Sequence, residues 1–195
     1  MSRFNIKDIL TPTAALVIIC GICTALLAGT NELTKEPIAS AEEMSLNRSM
    51  QSVAADSGVK FEKTDIDDPA AECYKVLDKD GNIVSYAVSV KTKGYGGTIK
   101  VMTGIDIDGN IIGVNVYDNS DETPGLGAKT SDKSFEDQFT GKSALTEFAV
   151  SKDSVKYPGD QTVDAVTGAT ISSRGVVGAV NHALGIYKNI CGGES

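Results

Sequence analysis

Apolar and polar positions change their pattern several times along the chain. From residue 9 to residue 31 it reads ILTPTAALVIICGICTALLAGTN, and no charge occurs between Asp8 and Glu32. A run of this length can cross a bilayer as one helix. From Thr34 to Asp56 the composition shifts to Ala, Glu, Met and Ser, with Ile38, Ala41 and Met44 at helical spacing and Pro37 suited to a helix start. This predicts a second helix, leading from the apolar run into a domain. Residues 57–70 show no period and read as an irregular connection. Strict alternation then begins. CYKVLDKDGNIVSYAVSV and IKVMTGIDIDGNIIGVNV each carry two alternating runs around Asp-Gly, the pattern of a β-hairpin. Good turn chemistry explains the shared DGNI without an internal duplication. Residues 131–142, SDKSFEDQFTGK, predict a short helix capped by Ser131, with Phe135 and Phe139 on one face; LTEFAVSK predicts a further strand. The last periodic segment, ISSRGVVGAVNHALGIYKNI, predicts a helix whose apolar stripe is Ile171, Val176, Val177, Val180, Leu184 and Tyr187. The expected fold class is α+β: an N-terminal transmembrane helix, then one exported domain with antiparallel hairpins and a C-terminal helix. The expected boundaries are 1–30 for the anchor, 31–70 for a connecting helix and linker, and 71–195 for the domain.

Charge adds orientation and excludes one class of partner. Arg3 and Lys7 precede the apolar run, so the N-terminus is expected in the cytoplasm and the domain on the extracytoplasmic side of the cell membrane. A cleaved signal peptide is the competing reading, but Leu26 two places before Ala28 spoils a small-x-small cleavage site. The chain has 18 basic and 26 acidic residues; beyond residue 30 the balance is 16 against 25. That acidic surface disfavours nucleic acid. The single histidine, His182, argues against a histidine-based metal site or a triad, and reads as a surface or packing residue. Cys20 and Cys23 fall on one face of the apolar helix and read as small hydrophobes, with a metal shared with another protein of an assembly as the lesser alternative. Cys73 and Cys191 could pair, though nothing in the sequence requires it.

Three stretches could carry chemistry. DAVTGATISSRG, residues 164–175, directly precedes the last helix. Free N–H groups and the helix dipole make such a position suitable for a phosphate, Gly168 allows close approach, and Thr170, Ser172 and Ser173 offer hydroxyls. A hydroxyl cap with no ligand is the commoner use of such residues. DNSDETPGLGAKT, residues 118–130, is a loop with few bulky side chains, able to lie against a planar ligand or to serve as an ordinary Pro-Gly turn. In KGYGGTIK, Tyr95 stands between glycines and could pack on a ligand ring or simply enter a strand.

The pattern Asp164-Ala-Val-Thr-Gly-Ala-Thr170 resembles the flavinylation motif of the FMN-binding domain family. That family includes the RnfG component of the Rnf electron-transport complex and the NqrC component of the sodium-pumping NADH:quinone reductase. ETPGLG at 122–127, GYGGTI at 94–99 and the single N-terminal anchor are similar too, so the resemblance spans essentially the whole chain. The short length is nearer to RnfG. The resemblance implies FMN joined to Thr170 by a phosphoester bond. It further implies that Thr167, Gly168, Ala169, Ser172 and Ser173 surround the phosphate or ribityl chain, and that Glu122, Thr123 and Leu126 flank the isoalloxazine ring. Asp164, as an anion, fits a magnesium or recognition contact, made while a separate flavin transferase attaches FMN, better than phosphate binding. The implied role is an electron relay in a membrane complex that couples ferredoxin:NAD chemistry to sodium or proton translocation. The other membrane and peripheral members of that complex are the implied partners. The chain alone has no nicotinamide fingerprint and no cluster-binding cysteine array. Competing classes are a non-redox assembly protein and a stand-alone extracellular flavin carrier. An exported hydrolase lacks a G-x-S-x-G motif and a base near Thr170, since His182 lies about three turns further along the helix.

Overall fold

The computed structural model describes residues 6–54, 58–151 and 161–192, with side chains from residue 10 onward. The chain divides into two units, Met1–Met44 and Ser45–Ser195.

The first helix, α1, runs Ile6–Ser52 and contains both Pro12 and Pro37. This corrects the expectation of two helices. The polar residues 31–36 are mostly good helix formers, and Pro37 removes a single i→i−4 bond, so nothing ends the helix between its apolar and polar sections. The apolar section is long enough, by length and composition, to cross a membrane. Its hydroxyls are turned inward: Thr24 and Thr30 donate to the carbonyls of Cys20 and Leu26, both at 2.8 Å. Such back-bonding hides polar groups in an apolar surround. Cys20 and Cys23 are free thiols on its outer surface.

The Ser45–Ser195 unit is built on a five-stranded antiparallel meander, β1 (Lys60–Thr64), β2 (Ala71–Leu77), β3 (Ile83–Lys93), β4 (Thr98–Asp106) and β5 (Ile111–Asp118), in sequence order. Strand β1 lies where an irregular connection was expected. It is a charged edge strand, KFEKT, and only Phe61 packs inward, so it shows little alternation. The two expected hairpins are present. Each closes on the same five-residue turn, Asp78 to Asn82 and Asp106 to Asn110. In each, the Asp backbone N–H donates to the Asn carbonyl at 2.9 Å and the Asp carboxylate accepts the Asn N–H. Gly81 and Gly109 supply the positive φ, +88° and +80°.

Two helical segments sandwich the sheet. On one face the C-terminal helix α3, Thr170–Gly192, buries Val176, Val177, Val180, Leu184 and Tyr187 against Val88, Val90, Ile99, Val101 and Ile105. On the other, the end of α1 packs Met50 and Val53 on Val76, Ala87 and Met102. Ile171, expected in the buried stripe, is instead 53% exposed. Cys73 and Cys191 meet the same core as free thiols, and burial pushes the Cys73 thiol up to about 11. His182 lies on the surface of α3 with Nε2 2.6 Å from Asp68 Oδ2.

After β5 a 3₁₀ turn, Gly127–Ser131, leads into the one-turn helix α2, Lys133–Glu136. Ser131 does not cap it: its hydroxyl donates to the Ala128 carbonyl, and Asp132 occupies the cap position. Phe135 and Phe139 are both buried and pair edge-on with ring centres 5.8 Å apart. The expected strand is β6, Phe148–Val150. It pairs in parallel with β7, Gln161–Val163, whose three residues are too few to show a period. Strand β7 delivers the chain directly into DAVTGAT.

Glu136 is buried and accepts the Val116 backbone N–H at 2.7 Å, satisfying the edge of β5. Burial raises its pKa above the usual carboxylate range, against the lowering effect of the Val116 and Asn115 bonds. A raised folded-state pKa gives stability that is complete below the unfolded pKa and is lost as pH climbs through the folded one. Glu136→Gln keeps a carbonyl acceptor and removes the buried titration. Thermal unfolding of this variant should therefore depend less on pH between acid and neutral. At pH 7 it should match or exceed the parent by up to about 1 kcal/mol.

Candidate functional site

The DAVTGAT segment forms a tight turn held by its own backbone. The Ala169 N–H donates to the Val166 carbonyl at 2.9 Å, and Gly168 adopts φ +81°, as the third position of a type II turn requires. The first helical hydrogen bond runs from Ser173 N–H to the Ala169 carbonyl, so Ala169 is the N-cap and Thr170 the first helical residue. The Thr170 hydroxyl therefore does not cap the helix. The N–H groups ahead of Ser173 have no acceptor within α3.

Ser173 is fully buried and completes the turn. It accepts the Val166 N–H and donates to the Ala169 carbonyl, both at 3.0 Å. Ser172 is also buried, and its hydroxyl donates to Glu122 Oε2 at 2.5 Å. The two serines are thus structural hydroxyls, which sequence spacing alone could not separate from ligand donors.

Glu122 joins the three stretches. Its side chain is 3% exposed, and its other oxygen, Oε1, accepts the Gly96 N–H at 2.9 Å. Neighbouring glycines make room for it. A Cβ on Gly94 or on Gly127 would overlap the Glu122 carboxylate, and one on Gly127 would also lie 2.8 Å from Ser172 Oγ. The GYGG and PGLG patterns are in this way the two halves of a cradle for one buried carboxylate. The loop after Glu122 is tied down by Leu126 and Ala128 N–H groups, which both donate to the Thr123 carbonyl. Thr130 Oγ1 donates to the Gly127 carbonyl at 2.7 Å, and Asn119 Nδ2 to the Ala128 carbonyl at 2.8 Å. Sequence reasoning misses Asn119 and Thr130, because nothing marks them off from other loop polar residues.

Above this scaffold opens a cleft of about 480 Å³ lined by Tyr95, Glu122, Thr123, Leu126, Gly127, Gly168, Ala169, Thr170, Ile171 and Ser172. The volume and the mix of apolar walls with a few polar groups suit a cofactor. Two features are compatible with FMN. Thr170, half-buried and lining the cleft, is the first residue of a long helix, where an anionic phosphate is favoured. Gly168 leaves a space in which a Cβ would press on Leu126 Cδ2 at 3.0 Å. Of the sequence-predicted residues, Thr170, Gly168, Ala169, Ser172, Glu122, Thr123 and Leu126 line this cleft. Thr167 is exposed on the turn and Ser173 lies beneath it. Asp164 lies in a separate groove with Gln138 and Lys129. Its backbone is clamped by the Gln138 amide, and its carboxylate accepts the Ser151 hydroxyl at 2.6 Å.

Comparison with known proteins agrees with this geometry. The family model of the FMN-binding domain matches residues 94–185, which contain every cleft residue, and that of the RnfG N-terminal region matches residues 1–53. The chain is 30% identical over 188 residues to the G component of the proton-translocating ferredoxin:NAD(+) oxidoreductase complex of Clostridium ljungdahlii, covering 96% of both chains. It is 33% identical to the G component of the ion-translocating oxidoreductase complex of Methanosarcina acetivorans, covering 91% of this chain and 94% of that one. Against the G component of the Na(+)-translocating ferredoxin:NAD(+) oxidoreductase complex of Acetobacterium woodii, identity rises to 45%, but the match spans only 57% of this chain and 53% of that protein. The crystal structure of the C component of the Na(+)-translocating NADH-quinone reductase from Parabacteroides distasonis superposes with TM-score 0.52 at 28% identity, over 62% of each chain. The chain therefore belongs to the RnfG family, the G components of the Rnf ion-translocating ferredoxin:NAD oxidoreductase complexes, with an FMN-binding domain over residues 94–185.

Proposed function

We propose that this chain is a membrane-anchored electron relay that carries one FMN bonded covalently to Thr170. One observation supports the reading above the others: Tyr95, the 122–127 loop and the 168–172 segment line a single cleft, and Thr170 is part of that lining. Forming the phosphoester would break the Thr170 Oγ1–H bond and the P–O–P bond of an activated, phosphoanhydride form of the flavin delivered by a transferase, whose nucleoside monophosphate would leave with the electron pair while the FMN phosphate stays on Oγ1. The α3 dipole and its first N–H groups stabilise the phosphate charge. Glu122, through Ser172 and Gly96, holds the helix start and the β3–β4 turn at the spacing the ring requires. FMN supplies the electron transfer, and the chain fixes its position and excludes its loss.

Attachment needs a flavin transferase, and Asp164 is the recognition contact for it, set apart from the cleft and held rigid by Gln138 and Ser151. Arg3 and Lys7 keep the N-terminus in the cytoplasm, which puts the FMN domain on the extracytoplasmic side. Electrons pass between this domain and the other members of the Rnf-type complex, which carry the nicotinamide and ion-moving steps. Acid precipitation of the purified protein tests covalency directly. Flavin fluorescence should remain with the denatured polypeptide; flavin released wholly into the supernatant would contradict the ester.

A further inference from the structure

Large exposed apolar side chains in the Ser45–Ser195 unit are few. Among the described residues, Tyr95, Leu126 and Ile171 meet at the cleft, while Ile107 and Leu145 lie elsewhere. Tyr95 is 70% exposed, yet its backbone is fixed. The Gly94 N–H donates to the Gly97 carbonyl at 2.8 Å, and the Gly96 N–H donates to Glu122 at 2.9 Å. Asp121 crowds the turn from outside, so that a Cβ on Gly96 or Gly97 would overlap it. The turn is thus pinned on both sides of Tyr95, while the phenol ring is held in solvent with no ring partner among the described residues. Leu126 lies against Gly168, Ile171 is exposed outside the buried stripe of α3, and both line the same cleft as Tyr95. Apolar groups from three distant segments, exposed together around one cleft, mark a surface built to be covered.

We propose that Tyr95 stacks on the isoalloxazine ring of the Thr170-bound FMN, with Leu126 and Ile171 forming the aliphatic wall opposite. The inference rests on the flavin reading and deepens it. A pinned aromatic is suited to this task, because offset stacking needs a flat face at a set position and loses little freedom on contact. A phenol in contact with an oxidised flavin quenches its emission, so the stack has an optical signature independent of electron transfer through the complex.

The test uses the full chain produced with a flavin transferase, each variant checked by intact mass for equal FMN content. Tyr95→Ala should raise flavin fluorescence several-fold and make it more sensitive to iodide. Tyr95→Phe keeps the stack and should stay closer to the parent in iodide access. Leu145→Ala, exposed but outside the cleft, should change neither. Unchanged emission and iodide access in Tyr95→Ala at equal FMN content would overturn the stacking and leave the flavin reading standing. A parent protein without FMN mass would overturn both.

Discussion

Thr170→Ala, produced alongside a flavin transferase, should fold normally and carry no covalent flavin. The fold is spared because Ala169, not Thr170, receives the first helical hydrogen bond. Removing a half-buried hydroxyl at the first helical position leaves no orphaned partner, and the expected stability change is within about 0.5 kcal/mol. The chemistry is abolished because no other free hydroxyl occupies that point. Ser172 and Ser173 are buried and already committed to Glu122 and to the turn. Thr170→Ser restores a hydroxyl at the same atom and should regain part of the flavin. A cap role would predict the reverse weighting, with stability falling and flavin indifferent. Visible absorbance of the denatured protein, read beside a thermal melt, separates the two.

Gly127→Ala should damage the cleft from below. The new methyl would overlap the Glu122 carboxylate and press on Ser172 Oγ, whose mutual bond joins the ETPGLG loop to the start of α3. The effect is steric, since Gly127 does not use the left-handed conformation. Overpacking at such a point costs about 1–3 kcal/mol. Loss of Glu122 from its seat also moves Thr170 relative to Thr123 and Leu126, so flavin loading should fall sharply even in protein that remains folded. Gly178→Ala is the contrast. It lies on the same helix with nothing within 4 Å of its added methyl, and should stabilise α3 by up to about 1 kcal/mol. Melting temperature and bound flavin measured on both variants check the pair. Equal flavin loading in Gly127→Ala and the parent would remove Glu122 as the organiser of the site.

What could be read from sequence follows the range of the interactions. The hairpins were legible because every residue that makes each turn lies within five positions. Helix α3 was legible because its stripe repeats over 23 residues. Strands β1 and β7 were not, one being a charged edge and the other three residues long. The continuity of α1 through Pro37 ran against the local breaker signal and depended on good helix formers either side. At the site, motif resemblance located Thr170 and the ETPGLG loop. The roles of Ser172 and Ser173 were illegible, because Ser172 answers to a carboxylate 50 positions away. The glycines of GYGG and PGLG read as flexible turns, whereas the structure uses them as clearance around Glu122. Asp164 was singled out by the motif, yet its place in a neighbouring groove depends on Gln138 and Ser151, which no local pattern links to it.

The most direct measurement is the intact mass of the chain purified from its native membrane, followed by peptide mapping across residues 157–174. One FMN added to the peptide containing Thr170, and absent from Thr170→Ala, is the expected result. An unmodified Thr170 in protein drawn from an active complex, with the transferase present, would contradict the covalent relay.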